Sequence, residues 1–228
     1  MGGHPETTLD FNDEDDADDG SYEREVSVYA VDEAVSIADV TQHYFKGVAN
    51  VAMTASYVKT LRVMHCGRLT ELRGLDKYAG LKELNVSSNS ILTMSGLENL
   101  HCLETLNASC NKISQVFNLG HLVKSLRTLN LSHNRIVSLA PLAEIAEFSV
   151  LETLDLTDNY VGELDHLRHL SKFGHLRSLA FQKAGDSSKG SNPICDFFNY
   201  RDTVKIYVPQ LTSFDGEQVG DSGSMVTP

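Results

Sequence analysis

The chain has 228 residues, of which 41% are apolar and 22% charged, so it is long enough for one domain with a sizeable core and tails. No apolar run approaches the roughly 18 to 20 residues that span a bilayer, which excludes a membrane helix. The net charge of −12 argues against direct binding of nucleic acid, because such binding needs a basic surface.

The N-terminal segment, residues 1–25, is strongly acidic. It contains ten acidic residues and a single basic one, Arg24. Its few apolar side chains cannot bury enough surface to order the segment. We expect a disordered tail, with an acidic arm for a basic partner surface as the alternative. It has no basic start followed by an apolar stretch, which predicts that no secretory signal is present. The acids are Glu6, Asp10, Asp13, Glu14, Asp15, Asp16, Asp18, Asp19, Glu23 and Glu25.

Residues 26–58 show no repeating pattern, and we interpret them as an N-terminal cap that includes a short helix. A periodic pattern follows over residues 59–191, although its first unit is blurred. In that unit Gly67 takes the place at which later units have asparagine. Its strand register stays open between two alternatives, Leu61 with Val63 or Arg62 with Met64 facing the core.

Four later segments repeat one pattern in register. They begin at Leu81, Leu103, Leu126 and Leu151, and a fifth begins at Leu176 before departing from the pattern. The starts are 22, 23, 25 and 25 residues apart. Each unit has the form L-x-x-L-x-[LVA]-x-x-N-x-[IV], which resembles the leucine-rich repeat family.

Alternating apolar residues in each unit predict a short strand with one buried side. A single unit would leave that apolar side exposed to solvent, whereas stacked units form a parallel sheet over one continuous core. The resemblance implies an α/β fold: a right-handed leucine-rich repeat solenoid of about five to six repeats, capped at both ends. Its parallel sheet lines the concave face, and short 3-10 or α helices line the convex face. The strand-ending amides predict a ladder of hydrogen bonds between turns, formed by Asn89, Asn111, Asn134 and Asn159.

The segment after the repeats is rich in aromatic residues and does not repeat. A stack of repeats exposes core leucines at its end, so we interpret residues 192–219 as a C-terminal cap, followed by a flexible tail over residues 220–228. The segment is similar to the C-terminal cap of intracellular leucine-rich repeat proteins. The matching residues are Asn192, Pro193, Tyr200, Arg201, Pro209, Leu211, Phe214, Asp215 and Gly216. Phe197 and Phe198 are candidates for a contact surface, since adjacent aromatic side chains cannot easily both point inward.

The short units and the cap resemble the branch of repeat proteins that includes phosphatase-1 regulators and axonemal dynein light chain 1. Residues 60–219 are most similar to the repeat domain of the leucine-rich repeat and coiled-coil centrosomal proteins. This similarity covers the insertion between Gln182 and Asn192 and the Asn-Pro-Ile-Cys sequence that follows. The resemblance implies a non-catalytic interaction scaffold of the centriole, basal body or axoneme. The alternatives are a regulatory subunit of a catalytic partner such as protein phosphatase 1, and a nuclear repeat protein associated with ribonucleoprotein.

The strand residues that alternate with the core leucines are candidates for binding a protein on the concave face. Ser132, His133 and Asp158 could suggest catalysis, but they lie on an open surface, so we expect no enzymatic activity. The candidate binding residues are Glu83, Asn85, Ser87, Thr105, Asn107, Ser109, Thr128, Asn130, Ser132, His133, Thr153, Asp155, Thr157, Asp158, Ser178 and Gln182.

No residue pattern predicts a cofactor or a metal site. The four cysteines lack metal-ligand spacing, and we interpret them as free structural thiols that are buried or half-buried. The expected partners are proteins, with no direct contact to nucleic acid or membrane, and the isolated chain is expected to be a monomer. The expected location is the cytoplasm, at the centrosome, basal body or flagellum of the cytoskeleton, with the nucleus as the alternative.

Overall fold

The computed structural model describes residues 24–29, 34–44, 55–143, 149–183 and 191–219. They form one nine-stranded sheet in which the order of the strands follows the chain. Strands β1 to β8 are parallel, and β9 pairs antiparallel with β8. The strands are β1 Arg24–Tyr29, β2 Val58–Met64, β3 Glu83–Asn85, β4 Thr105–Asn107, β5 Thr128–Asn130, β6 Thr153–Asp155, β7 Ser178–Ala180, β8 Ser213–Phe214 and β9 Glu217–Gln218.

The helices that the described residues form between these strands are short. The α helices are α1 Ile37–Tyr44, α2 Ala140–Ala143 and α3 Tyr200–Tyr207, and the 3-10 helices are Leu75–Lys77, Gly120–Leu122, Leu164–Leu170 and Pro193–Asp196. Repeats of 22 to 25 residues leave too little chain for a longer helix after the strand and its turn. The parallel sheet and short convex helices confirm the predicted solenoid.

A single column of leucines runs through the molecule beneath the sheet. The central residues of neighbouring strands pair in register, from Leu61 through Leu84 and Leu106 to Leu129 and onward. These side chains are at most 2% exposed. Each turn therefore completes the burial of the next, which makes the core continuous along the stack.

The first repeat settles the register that the sequence left open. Leu61 and Val63 face the core and are 2% and 0% exposed, whereas Arg62 pairs with Asn85 on the concave side. Counted back from Leu69, whose carbonyl accepts from Ser90 N as Ile91 O accepts from Lys112 N, Gly67 lies at the asparagine position, whereas counted forward from the strand Cys66 does. Cys66 follows the left-handed residue His65, at φ 58°, as the ladder asparagines follow Ser88 and its counterparts. The Cys66 N–H then donates to Asn89 Oδ1 at 2.8 Å.

The N-terminal part of the chain joins the sheet rather than only covering it. Strand β1 begins at Arg24, so the last two residues of the predicted acidic tail belong to the sheet. The Asp39 carboxylate accepts hydrogen bonds from Ser36 N and Ser36 Oγ at 2.8 and 2.9 Å and closes the start of α1. The pKa of Asp39 lies below its usual range. The hydrogen bond from the Ser36 hydroxyl is the largest cause, and backbone N–H donors add to it. Residues 1–23, 184–190 and 220–228, which include the rest of the two predicted tails, lie outside the described residues.

A close backbone contact holds α1 against the first repeat. Gly74 has φ 107°, and a Cβ there would lie 2.5 Å from Ala38 N, so both the dihedral and the contact require glycine. Ala38 N also donates to Arg73 O at 2.8 Å. The first unit of the stack is therefore a partial turn built from β1 and α1.

Candidate functional site

The concave face carries two rows of matching polar side chains. In-register pairing places Thr105, Thr128 and Thr153 side by side ahead of the central leucines. Behind the leucines it aligns Asn85, Asn107, Asn130 and Asp155. The predicted concave residues are half-buried, except that Glu83 is exposed while Ser132 and Thr157 are buried. The repeat thus converts one sequence position into a continuous strip of the surface.

The asparagines of the second row are fixed by their own backbone. Asn85 Oδ1 accepts from Ser87 N at 3.0 Å, and Asn107 and Asn130 accept likewise from the residues two positions later at 3.0 and 2.9 Å. In the described part of the chain, the Nδ2 groups of these three asparagines have no hydrogen-bond acceptor. They form a row of oriented amide donors that a bound molecule can use.

The rim of the concave face pairs His133 with Asp158. Both residues have left-handed backbone, at φ 55°, and His133 Nδ1 lies 2.5 Å from Asp158 Oδ2. Ser132 Oγ instead donates to Asn130 Oδ1 at 2.7 Å. Ser132 is therefore paired with Asn130, and His133 with Asp158. His133 does not hold the Ser132 hydroxyl for nucleophilic attack.

The described residues contain no group of three or more His, Cys, Asp or Glu side chains that could hold a metal ion. An apolar void of about 10 Å³ lies between Leu122, Leu129 and Leu142. Roughly that volume admits a single water molecule at most, so the void is a packing defect and not a substrate site. Near the first convex turns, Glu71, Arg73 and Glu98 line an open depression of about 470 Å³.

The side-chain ladder inside the turns has one more member than the sequence pattern indicates. Asn111 Oδ1 accepts from Ile91 N at 3.0 Å, and Asn111 Nδ2 donates to Val86 O at 3.0 Å. Asn89, Asn134 and Asn159 make equivalent bonds. Asn192, which the sequence pattern assigns to the cap, repeats this geometry: it accepts from Val161 N at 3.0 Å and donates to Leu156 O at 2.8 Å. The insertion between Gln182 and Asn192 places this asparagine later in the sequence, but the turn still contains a ladder asparagine.

The C-terminal cap is built around a buried carboxylate. Asp215 is 1% exposed, and it accepts hydrogen bonds from Phe181 N at 2.9 Å, Gln182 Nε2 at 3.0 Å and Tyr200 OH at 3.2 Å. Leu156 is the residue equivalent to Phe181 in the preceding turn, and its N–H donates to a carbonyl of the next strand, Ala180 O, at 2.8 Å. The Asp215 side chain, which directly follows β8, therefore takes the place of the carbonyl that a longer β8 would offer to Phe181 N.

Burial makes two groups of the cap, Tyr200 and Cys195, resist ionisation. Desolvation, with the Asp215 charge as the next cause, holds the pKa of Tyr200 far above its usual range. Desolvation also raises the pKa of the Cys195 thiol to about 11. The expectation that all four cysteines are buried or half-buried is wrong for Cys102 and Cys110, which are exposed.

Gln182, which the sequence assigns to the concave face, binds Asp215 and belongs partly to the cap. Of the remaining cap residues, Leu211 and Phe214 are buried, whereas Pro209 is exposed. Arg201 forms an ion pair with Glu217 at 2.8 Å, and Gly216 has left-handed backbone at φ 77°.

Sequence reasoning missed a row of exposed apolar side chains beside the concave face. Leu92, Val137 and Tyr160 are 50%, 56% and 59% exposed. They follow the ladder asparagines, where consecutive turns stack through bonds such as Arg135 N to Ile113 O and Tyr160 N to Ile136 O, both at 2.8 Å. With the exposed Lys112 and Arg135, they form what we call the ascending flank. The signal lay in the two unspecified positions that stand one and three residues after a ladder asparagine: Tyr160 takes the first of them, and Leu92 and Val137 take the second.

The cap adds exposed aromatic residues at the end of the stack. Phe197 and Phe198 are 46% and 101% exposed, so neither fills the core. They follow the 3-10 helix Pro193–Asp196 and precede α3. No helix in the described part of the chain is long and apolar enough to cross a membrane.

Comparisons with known proteins agree with this geometry. A family model described as "Leucine-rich repeat" matches residues 73–209. The chain is 34% identical over 131 residues to acidic leucine-rich nuclear phosphoprotein 32 family member A of Drosophila pseudoobscura pseudoobscura, covering 57% of this chain and 49% of that protein. It is 31% identical over 103 residues to the U2 small nuclear ribonucleoprotein A' of Arabidopsis thaliana, covering 44% of this chain and 41% of that protein. The chain therefore spans less than half the length of each of these relatives.

Among solved structures, an internalin, InlF, from Listeria monocytogenes superposes with a TM-score of 0.56 at 18% identity, covering 75% of this chain and 45% of that one. At this identity the likeness concerns the fold alone.

Proposed function

Because the chain belongs to the leucine-rich repeat family, we propose that it is a non-catalytic module that binds another protein with its concave face and ascending flank. The observation that carries this proposal is the exposure of Leu92, Val137 and Tyr160 in segments that follow the ladder asparagines. These three side chains are at least half exposed although the repeats around them bury nearly every other large apolar residue. Apolar side chains that recur along one edge of a polar face are typical of a protein contact surface.

The two surfaces supply different contributions to binding. Tyr160 has a large apolar ring with a polar hydroxyl, and Arg135 of the preceding turn is exposed beside it. Tyrosine and arginine are the residue types that most often dominate interface energies. The amides of Asn85, Asn107 and Asn130 are already oriented by bonds to their own backbone, so binding orders little further. The flank therefore anchors a partner, and the concave amides fix its orientation.

The names of the relatives support a nuclear location. One relative is named as a nuclear phosphoprotein and the other as a small nuclear ribonucleoprotein protein. We therefore propose the nucleus as the place of action. The centrosomal, basal-body and flagellar expectation gains no support from these relatives and stays a prediction, as does a phosphatase partner. A tagged full chain found in centrosomes or flagella and absent from nuclei would reverse this preference.

The test of the binding surface is quantitative affinity purification of the tagged full chain from cells, with variants that differ only on the surface. Val137→Ser combined with Tyr160→Ala removes the centre of the flank. Ile206→Ser is the matched control, because Ile206 is 74% exposed but lies on α3 of the cap. We expect partner recovery to fall about tenfold for the flank variant, the effect of losing a hot spot, and to be unchanged for the control. Equal recovery by all three proteins, with circular dichroism showing intact folds, would contradict the proposal.

A further inference from the structure

Two cations are stacked on the ascending flank. Lys112 and Arg135 each follow a ladder asparagine directly, and both side chains are exposed. Lys112 N donates to Ile91 O at 2.9 Å. Arg135 N donates to Ile113 O at 2.8 Å, so it takes the same place in the next turn. Neighbouring turns that pair through their strands lie about 5 Å apart, which makes the two positive charges close neighbours.

These two cations are not balanced within the described part of the chain. Among the described residues, neither Lys112 nor Arg135 forms an ion pair. Asp158 and Glu163 lie in the turn that follows, and each faces a histidine side chain instead, at 2.5 and 3.8 Å. The flank therefore presents a local positive charge in a chain whose net charge is −12.

Another stacked position of the same repeats carries alternating charges. The N–H groups of its last three residues each donate to the carbonyl of the residue before at 2.8 Å, which places all four in consecutive turns. These residues are Glu104, Arg127, Glu152 and Arg177, and Arg127 forms an ion pair with Glu152. Like charges at neighbouring positions repel, so the stacked cations of the flank carry an unfavourable energy that an acidic group from outside would offset.

Aliphatic side chains lie beside the two cations. Leu92 follows Ile91, the residue whose carbonyl bonds Lys112, and Val137 stands two residues after Arg135. They are 50% and 56% exposed. Two cations neutralise few phosphates, and a phosphate backbone has no aliphatic group to cover these side chains. A peptide that carries acidic and apolar side chains together matches both features of the flank.

We propose that the ascending flank selects a segment of a partner protein in which aspartate or glutamate side chains accompany apolar ones. Its carboxylates contact Lys112 and Arg135, and its apolar side chains cover Leu92 and Val137. The Arg135 guanidinium holds a carboxylate through two parallel hydrogen bonds, and the hydroxyl of Tyr160 in the next turn adds a donor. This inference rests on the proposed function and names the chemistry of the partner.

The probe is a displayed library of random peptides, selected for binding to the full chain. The three steps from the turn of Leu92 to that of Tyr160 cover roughly 15 Å, which about twelve residues span even as a helix. We expect the selected peptides to be enriched in aspartate or glutamate together with leucine, isoleucine, valine or aromatic residues. Enrichment of lysine and arginine, or recovery of no peptide above that on a blank support, would overturn the proposal.

A pair of charge-matched variants locates the selected peptide. Lys112→Gln with Arg135→Gln removes both flank charges. Lys77→Gln with Lys205→Gln is the control, because both lysines are exposed but lie in the 3-10 helix Leu75–Lys77 and in α3. In fluorescence anisotropy we expect the flank variant to bind the peptide at least about tenfold more weakly and the control to bind it normally. Equal binding by the two variants would overturn the proposal, because the peptide would then respond to net charge alone or not to charge.

The peptide supplies the complementary substitution. With its carboxylates replaced by amides, we expect it to bind the unsubstituted chain and the Lys112→Gln, Arg135→Gln variant equally, since no ion pair remains to be lost. A difference that persists would mean that the two cations do not contact the carboxylates. Urea denaturation checks the fold: removing a repulsion is not expected to lower the midpoint of the flank variant, and a lower midpoint would show that the cations serve the chain's own stability.

Affinity purification from cells separates this inference from the proposed function. If Val137→Ser with Tyr160→Ala reduces partner recovery but Lys112→Gln with Arg135→Gln does not, the flank binds a partner of another chemistry, and only this inference fails. Three results would assign the flank to another occupant and overturn it as well. They are binding of oligouridine that the Lys112→Gln, Arg135→Gln variant loses, a dimer in sedimentation that the same variant dissociates, and peptide binding that appears only after deletion of residues 1–23.

Discussion

At the scale of single residues, one asparagine per turn replaces the hydrogen bonds that a longer helix or sheet would supply. Each ladder amide accepts from one backbone N–H and donates to carbonyls of its own and the preceding turn, as Asn134 does to Leu131 O and Ala108 O at 3.0 and 2.9 Å. A tight turn buries these backbone groups away from water, where an unpaired group is costly. The side chain is therefore as much a part of the turn as its backbone.

Asn192 is the residue at which this dependence can be measured. Asn192→Ala leaves Val161 N, Leu156 O and Phe181 O without their side-chain partner in a site that is 0% exposed. We expect a loss of about 3 kcal/mol in the free energy of unfolding, since each unsatisfied buried group costs roughly 1 to 3 kcal/mol. Urea denaturation measures it. The exposed Asn99 is the control, and Asn99→Ala is expected to change stability by less than about 0.5 kcal/mol. A cost for Asn192→Ala no larger than the control would show that this rung is dispensable.

The sequence identified four rungs of the ladder because they fall at a fixed distance from their leucines. Counting from Asn159 by the 25-residue spacing leads to Ala184, and the amide in the equivalent place is Asn192. No local pattern shows how many residues an insertion adds before the turn resumes. The exposed flank was missed for a related reason, since Tyr160 and Val137 stand at positions where packing imposes no residue type.

At the scale of elements, the C-terminal cap is a hydrogen-bonded plug rather than an apolar lid alone. Phe181, Tyr200 and Phe214 provide the apolar surface, with Tyr200 edge-on to Phe181 at 6.2 Å. Asp215 satisfies the last strand, and the Tyr200 hydroxyl satisfies Asp215. The Arg201–Glu217 pair at the surface is exposed and adds little. The sequence predicted the cap from its aromatic residues and its resemblance, whereas the role of Asp215 depends on a distance that no spacing reveals.

The cap predicts a specific loss of stability in alkali. The folded pKa of Tyr200 lies far above the ordinary tyrosine value of about 10, so the unfolded chain releases a proton that the folded chain keeps. The stability that depends on the protonated hydroxyl is complete below about pH 10 and decreases as the pH rises further. Tyr200→Phe removes this group. The stability of the unsubstituted chain relative to Tyr200→Phe is therefore expected to fall by about 1.4 kcal/mol per pH unit above pH 10.

Urea denaturation at pH values between about 8 and 11 tests this. Below pH 10 the unsubstituted chain is expected to be more stable than Tyr200→Phe by about 1 to 2 kcal/mol, because Asp215 keeps a buried donor. Tyr57, which is 48% exposed, supplies the control, and Tyr57→Phe is expected to follow the unsubstituted chain at every pH. A stability difference between Tyr200→Phe and the unsubstituted chain that does not change with pH would mean that Tyr200 ionises normally.

At the scale of the whole molecule, the strand pairs among the described residues all join strands that are neighbours in the sequence. Each strand from β2 to β7 pairs with the one before and the one after it, and the strand order follows the sequence throughout. Stability in such a stack is close to a sum of turn and interface contributions, so a defect has different consequences at the centre and at an end. Among the described residues, the sheet ends in the six-residue strand β1 on one side and the two-residue strand β9 on the other, which makes the two ends unequal.

A matched pair of core substitutions tests this inequality. Leu129 lies in the central strand β5 and is 1% exposed, so Leu129→Ala is expected to cost about 3 kcal/mol and to accelerate hydrogen exchange in every strand from β2 to β7. Val26 occupies the equivalent position in β1 but has a neighbouring strand on one side only and is partly exposed. Val26→Ala is expected to cost less than about 1 kcal/mol, with faster exchange confined to β1 and β2. Exchange measured residue by residue distinguishes the two outcomes. Equal spread of the effect from both positions would mean that the turns unfold as one cooperative unit and that β1 is held as firmly as the centre.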